Sequence, residues 1–120
     1  MSLEQLPGRL LRLEGAALLA AAILLYADGG YSALAFVLLI LAPDLSMLAY
    51  VAGPRAGALA YNVVHVLALP LALGTVGVLA DSGVAVQVAL IWFAHIGADR
   101  ALGYGLKYPS AFSDTHLQRV

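Results

Sequence analysis

The sequence predicts an all-α integral membrane protein, a four-helix bundle with its N- and C-termini cytoplasmic. Three observations predict it. First, 62% of the 120 residues are hydrophobic and the mean hydropathy is +0.92, whereas soluble domains run near ~45–50% apolar. Second, four long apolar stretches are separated by short polar breaks at Asp28–Tyr31, Ala52–Arg55 and Ala80–Gly83. A span needs ~20 apolar residues, so four spans use about 80 residues and leave room for one domain and no separate soluble one. Third, threading these stretches through a bilayer puts all six basic residues (Arg9, Arg12, Arg55, Arg100, Lys107 and Arg119) in or near one layer. The other side receives only Asp28 and Asp81. Lysine and arginine asymmetry sets orientation, with the basic side inside, which points to the bacterial inner membrane.

The elements follow in order. Met1–Gly8 is a polar lead in which Pro7-Gly8 stops a helix. Span one covers about 9–27, and Asp28-Gly29-Gly30 is an outer turn. Leu25-Tyr26-Ala27 is too bulky for a signal-peptidase site, so the first span is expected to be retained. Span two covers about 31–50. Gly53-Pro54 is an inner turn, with Pro54 suited to a first helical turn, where its missing N–H leaves nothing unpaired. Span three covers about 55–79, with Pro70 as a kink. Asp81-Ser82-Gly83 is the second outer turn, span four covers about 84–106, and 107–120 is a polar cytoplasmic tail. Tyr26 and Tyr31 mark the outer edge and Tyr50, Tyr104 and Tyr108 the inner one, as an aromatic belt requires. Gly53 and Gly57, and the row Gly97, Ala101, Gly105, allow close helix approach, within one chain or between two copies in a homo-oligomer.

Composition also excludes. Without cysteine there are no disulfides, iron–sulfur clusters or thiolate zinc sites. A net charge of −1 and the lack of any basic tract give no footing for nucleic acid. The expected partner is the lipid bilayer.

A charge in the hydrocarbon costs at least a few kcal/mol, so each intramembrane ionisable residue is a functional candidate. Glu14 lies about one turn inside span one. Asp44 lies ~9 Å from the inner end of span two, and Asn62 and His65 ~10 and ~15 Å into span three. His95 and Asp99 lie ~17 and ~10 Å from the inner end of span four. All four helices thus offer polar groups to one layer of the inner half. His95 and Asp99 are four apart, and Asn62 and His65 three apart, so each pair shares a helix face. Pro43 beside Asp44 frees a carbonyl that can add another oxygen. Carboxylate and imidazole ligands suit zinc, manganese or iron(II), and a metal in the core of a four-helix bundle is an established solution. Each residue also has a plainer reading. Glu14 pairs with Arg9 or Arg12 at the interface, Asp99 is a boundary charge, His65 is a packed histidine, and Asn62 bridges two helices. Asp44 has no basic residue near it in sequence. In the tail, Gly103–Pro109 and Ser113–His116 can fold over the inner mouth of the bundle, bringing Asp114 and His116 to the site and Lys107 or Arg100 to an anionic substrate group.

Leu41-Ala-Pro-Asp-Leu-Ser-Met-Leu, Ala52-Gly-Pro-Arg and Tyr61-Asn62-x-x-His65 resemble the bacterial family described as domain of unknown function 4260. So do Trp92-x-Ala-His95-Ile-Gly-x-Asp99-Arg100, the following Gly-Tyr-Gly-Leu-Lys-Tyr-Pro, and Asp114-Thr-His116-Leu. The resemblance covers nearly all the chain after Leu13 and implies a small multi-span membrane protein. More distantly, the chain is similar to membrane-bound metal-dependent hydrolases, which combine Pro-Asp and His/Asp groups on membrane helices, although their His-Arg…Thr-His-Ser pattern is missing.

The resulting expectation is a metal-dependent hydrolase acting on an amphiphilic or lipid-like substrate at the cytoplasmic leaflet. Asp44, His65, His95 and Asp99 are the expected ligands of a divalent zinc, manganese or iron ion. Glu14 or His116 is the expected general base, and Asn62, Arg100 and Lys107 the substrate-binding groups. A proton or metal-ion carrier or channel is the alternative, with Thr75 and Gln87 as the only polar hints in the outer half. The third reading is a non-catalytic membrane subunit whose polar groups hold helices together.

Overall fold

Pro7, Pro54 and the serines at two turns set where the helices begin. The computed structural model describes residues 3–107, 115 and 117. After a 3-10 turn at Leu3–Gln5, α1 runs from Leu6 to Asp28. It starts before the expected stop at Pro7-Gly8, because Pro7 falls in its first turn, where a missing N–H breaks no bond. Ser32 caps α2 (Ala33–Leu39) by accepting the Ala35 N–H at 3.1 Å. A 3-10 helix then continues the second rod over Ala42–Ala52. Pro54 opens α3 (Pro54–His65), and α4 (Ala68–Leu79) completes the third rod. Ser82 caps α5 (Gly83–Leu102) in the same way, accepting from the Ala85 N–H at 3.3 Å.

α5 ends four residues short of the span expected for it. Gly103 adopts φ +94°, a left-handed conformation that glycine takes without steric cost. The Gly103 and Tyr104 N–H groups turn back to the carbonyls of Arg100 and Asp99, at 3.1 and 2.7 Å, a Schellman closure.

The architecture is all-helical among the described residues, with four rods and one isolated antiparallel bridge, Lys107 to Thr115. α5 lies at the centre and packs on α1 and α4, while the 3-10 segment packs on α3. The buried residues of α5 are Ala89, Ile91, Ala94, His95, Ile96 and Gly97. At the crossing with α1, a Cβ on Gly97 would fall 2.8 Å from the Gly15 carbonyl oxygen, and one on Gly15 would fall 2.7 Å from the Ala101 nitrogen. The two backbones therefore touch, as small residues permit where packing rather than water exclusion drives association. Gly97 thus packs within the chain.

Three rods, Leu3–Asp28, Ala33–Ala52 and Pro54–Leu79, are long and apolar enough to cross a membrane. α5 is not among them, because Gln87, His95, Asp99 and Arg100 interrupt its apolar run. Large apolar side chains cover the outside, among them Leu38, Leu48, Val51 and Val78. No residue of the second rod's apolar window is buried. An apolar exterior around a polar centre is the pattern of a membrane protein.

A candidate metal centre

Two helix breaks build the site. Pro43 has no N–H, and the chain tightens so that the Asp44 N–H bonds to the Leu41 carbonyl at 3.0 Å instead of reaching Ile40. The Ile40 carbonyl is thereby released, and His95 Nδ1 donates to it at 2.6 Å. The carbonyl freed near Pro43 therefore orients a histidine, whereas the sequence suggested it as an added oxygen ligand. The second break divides α3 from α4 at Val66, whose backbone is extended. It lies four residues before Pro70, where the proline ring would clash with a helical carbonyl. The stranded carbonyls there find side chains: Trp92 Nε1 donates to Val64 at 2.6 Å and Arg100 Nη2 to His65 at 3.1 Å. Broken backbone at membrane depth persists only when partnered in this way.

Asp44, His65, His95 and Asp99 converge on one point, each with a ligand atom within 4.8 Å of the others. Asp44 Oδ1 is 3.0 Å from His95 Nε2 and 3.3 Å from His65 Nε2. Asp99 Oδ2 is 3.3 Å from His95 Nε2 and 3.5 Å from His65 Nε2. The two Nε2 atoms are 3.1 Å apart. Both imidazoles are buried. His65 Nδ1 meets the Tyr61 carbonyl at 2.8 Å, and a carbonyl oxygen only accepts, so Nδ1 of each histidine carries the proton. Both Nε2 lone pairs then face two carboxylate oxygens. Four acceptors this close repel unless a cation, an ion or a shared proton, sits among them. The group can therefore hold a metal, and the histidine–carbonyl bonds are the outer contacts that orient metal-ligating imidazoles.

Tyr61 supports the centre in two ways. Its hydroxyl donates to Asp99 Oδ2 at 3.3 Å, and its ring stacks on His65 with centroids 3.6 Å apart and planes 6° from parallel. On the open side, a cavity of about 240 Å³ is lined by Asp44, Met47, Tyr61, Asp99, Tyr104 and Lys107. The Asp44 side chain is 36% exposed and that of Asp99 17%. Lys107 is buried, with Nζ 4.8 Å above the Tyr61 ring and 5.9 Å from that of Tyr104. Burial pushes its ammonium below the usual lysine range, while Asp99 and Asp44 pull the other way.

Glu14, Asn62 and Arg100 are placed away from the cavity. Glu14 is exposed on α1 and makes no hydrogen bond or ion pair among the described residues; α1 presents neighbouring Gly15 to α5, which turns Glu14 away from the cluster. The amide of Asn62 donates to the Lys107 carbonyl at 2.7 Å and accepts the Lys107 N–H at 2.6 Å, so it clamps the tail instead of facing the cavity. Arg100 bonds the broken end of α3. Lys107 does line the cavity. Lys107, Thr115 and Leu117 are buried at this end, so this part of the tail folds back. Asp114 and His116 lie outside the described residues, as do Tyr108 and Arg119. At the end of the molecule away from the cluster, Gln87 donates to the Tyr26 hydroxyl at 3.0 Å and Tyr26 to the Ser32 carbonyl at 2.5 Å, a structural network. Thr75 lines a cavity walled mainly by apolar residues such as Leu71, Val78 and Phe93. Tyr61 and Trp92 are the contributors the sequence did not single out as site residues.

The fold and this cluster together define a class: a small helical membrane protein with a buried Asp-His-His-Asp group able to hold a metal. Within that class the chain belongs to the family described as domain of unknown function (DUF4260), whose family model matches residues 8–120. No curated protein and no solved structure matches it.

Proposed function

We propose that the protein is a divalent-metal-dependent hydrolase of the bacterial inner membrane, acting on an amphiphilic, lipid-like phosphoester at the cytoplasmic leaflet. One observation carries this reading: two Nε2 lone pairs and two carboxylate oxygens converge beside a cavity that also holds Lys107. A purely structural metal site closes over its ion, while a catalytic one keeps an open position, and here Asp44 and Asp99 reach the cavity. Zinc, manganese or iron(II) fits the mixed imidazole and carboxylate donors.

A bound divalent ion would supply Lewis acidity and activate water as nucleophile. The chain's own groups do the rest. His65 and His95 are fixed by their carbonyl partners. Asp44, the more exposed carboxylate, has a second oxygen besides the one that would hold the ion, and that oxygen is placed to take a proton from water in the cavity. The Lys107 ammonium is placed to attract an anionic substrate group. Met47, Tyr61 and Tyr104 give the cavity an apolar wall for the remainder of an amphiphile. The basic residues grouped at the end of the molecule that bears Lys107 support a cytoplasmic position for that end.

The test is hydrolysis of phospholipid and lysophospholipid phosphoesters by protein purified with added zinc, manganese or iron(II). The reading expects metal-dependent turnover that Asp44→Asn lowers at least about 100-fold. Turnover equal in wild type and Asp44→Asn, or none with any metal, would reject it.

A further inference from the structure

We propose a second binding site, for a phosphate group, between α1 and the tail, separate from the Asp/His cluster. Arg9 and Arg12 are three apart, so they share one face within the first turns of α1. Both line a cavity of about 490 Å³, together with Gln5 and Gly8 of the same end and Leu117 from the tail. Ligand pockets run ~300–1,000 Å³, so the volume suits a phosphate with part of its ester. Neither guanidinium has a hydrogen bond or ion pair among the described residues, and the nearby Glu4 and Glu14 engage neither.

The cavity has a seat for one of these groups. The Arg12 guanidinium lies against Gly103, where a Cβ would come within 2.9 Å of Cζ and 3.3 Å of Nε. The bare glycine that ends α5 therefore makes room for Arg12. Two planar guanidiniums, unpaired among the described residues, on one cavity match the oxygens of a phosphate, which arginine binds in bidentate fashion. Depth adds support. The uninterrupted apolar run of α1 begins at Gly15, after Glu14, so Arg9 and Arg12 lie ~9 and ~4.5 Å before its start, at the level of lipid phosphates. The ligand chemistry is an anionic phosphate group, carried by a lipid headgroup or free in solution.

Native mass spectrometry of the full chain in detergent, titrated with phosphatidic acid, tests this. Wild type should retain one lipid at least fivefold more tightly than Arg9→Gln/Arg12→Gln, while Arg55→Gln, outside the cavity, should match wild type. Both arginines are exposed, so the double variant should keep the wild-type melting temperature, which is checked in parallel. Displacement of the lipid by millimolar inorganic phosphate would identify a site for free phosphate; lipid retained against it would identify a headgroup site. Equal retention by wild type and the double variant would overturn the proposal, as would an equal loss in Arg55→Gln.

Discussion

His65 and His95 face each other with Nδ1 of each donating to a backbone carbonyl, so in the neutral form each Nε2 is the acceptor that faces the carboxylates. Their neighbour Tyr61 holds Asp99 by its hydroxyl. Loss of such outer contacts weakens metal binding ~10–100-fold, so Tyr61→Phe should show that loss in a chelator competition while keeping its fold. Asn62 acts elsewhere. Removing its two bonds to Lys107 in Asn62→Ala should cost about 1–3 kcal/mol, seen as a lower melting temperature in detergent with metal content retained. Metal lost in Asn62→Ala at unchanged stability would contradict this division of roles. The candidate ligands were legible because polar residues in apolar helices are conspicuous and their spacing sets a face. Depth along a helix is not direction, however, and Glu14 shows the difference: at suitable depth, it points away from α5. Tyr61 and Trp92 were not legible as site residues, since an aromatic in an apolar helix reads equally well as packing.

Prolines shape the elements. Pro43 and Pro70 each release carbonyls, which His95, Trp92 and Arg100 of α5 engage. The second and third rods are thus keyed to α5 by hydrogen bonds as well as packing. Trp92→Phe would leave the Val64 carbonyl unpaired and should cost about 1–3 kcal/mol in stability. Gly97→Val should cost about as much or more by overpacking the contact with α1, and both are measured by thermal unfolding in detergent. An unchanged melting temperature in Gly97→Val would refute the close crossing. The kink at Pro70 was legible. Its displacement to Val66 follows from a clash four residues back, and the 3-10 winding after Pro43 follows from tertiary bonds that no local pattern records. The early end of α5 was written in Gly103, but Gly105 two residues later continues the four-spaced row of Gly97 and Ala101, which reads as a longer helix.

At the scale of the whole molecule, three apolar rods accompany α5, whose apolar run is broken by Gln87, His95, Asp99 and Arg100 and which carries half of the cluster. That division explains why four spans were countable from apolar runs while α5 falls short of the other three in apolar character. With the basic end inside, a fluorescent reporter fused after Val120 should fold and fluoresce in cells, and a periplasmic phosphatase reporter there should be inactive. The reverse result would invert the orientation and move the cavity to the opposite leaflet. The central claim is that Asp44, His65, His95 and Asp99 hold an ion. The most direct measurement is metal content by mass spectrometry on detergent-purified wild type and His95→Ala. About one divalent ion per chain is expected in wild type and little in the variant. No metal in wild type, or the same amount in a well-folded His95→Ala, would contradict it and leave the cluster as hydrogen-bonded packing.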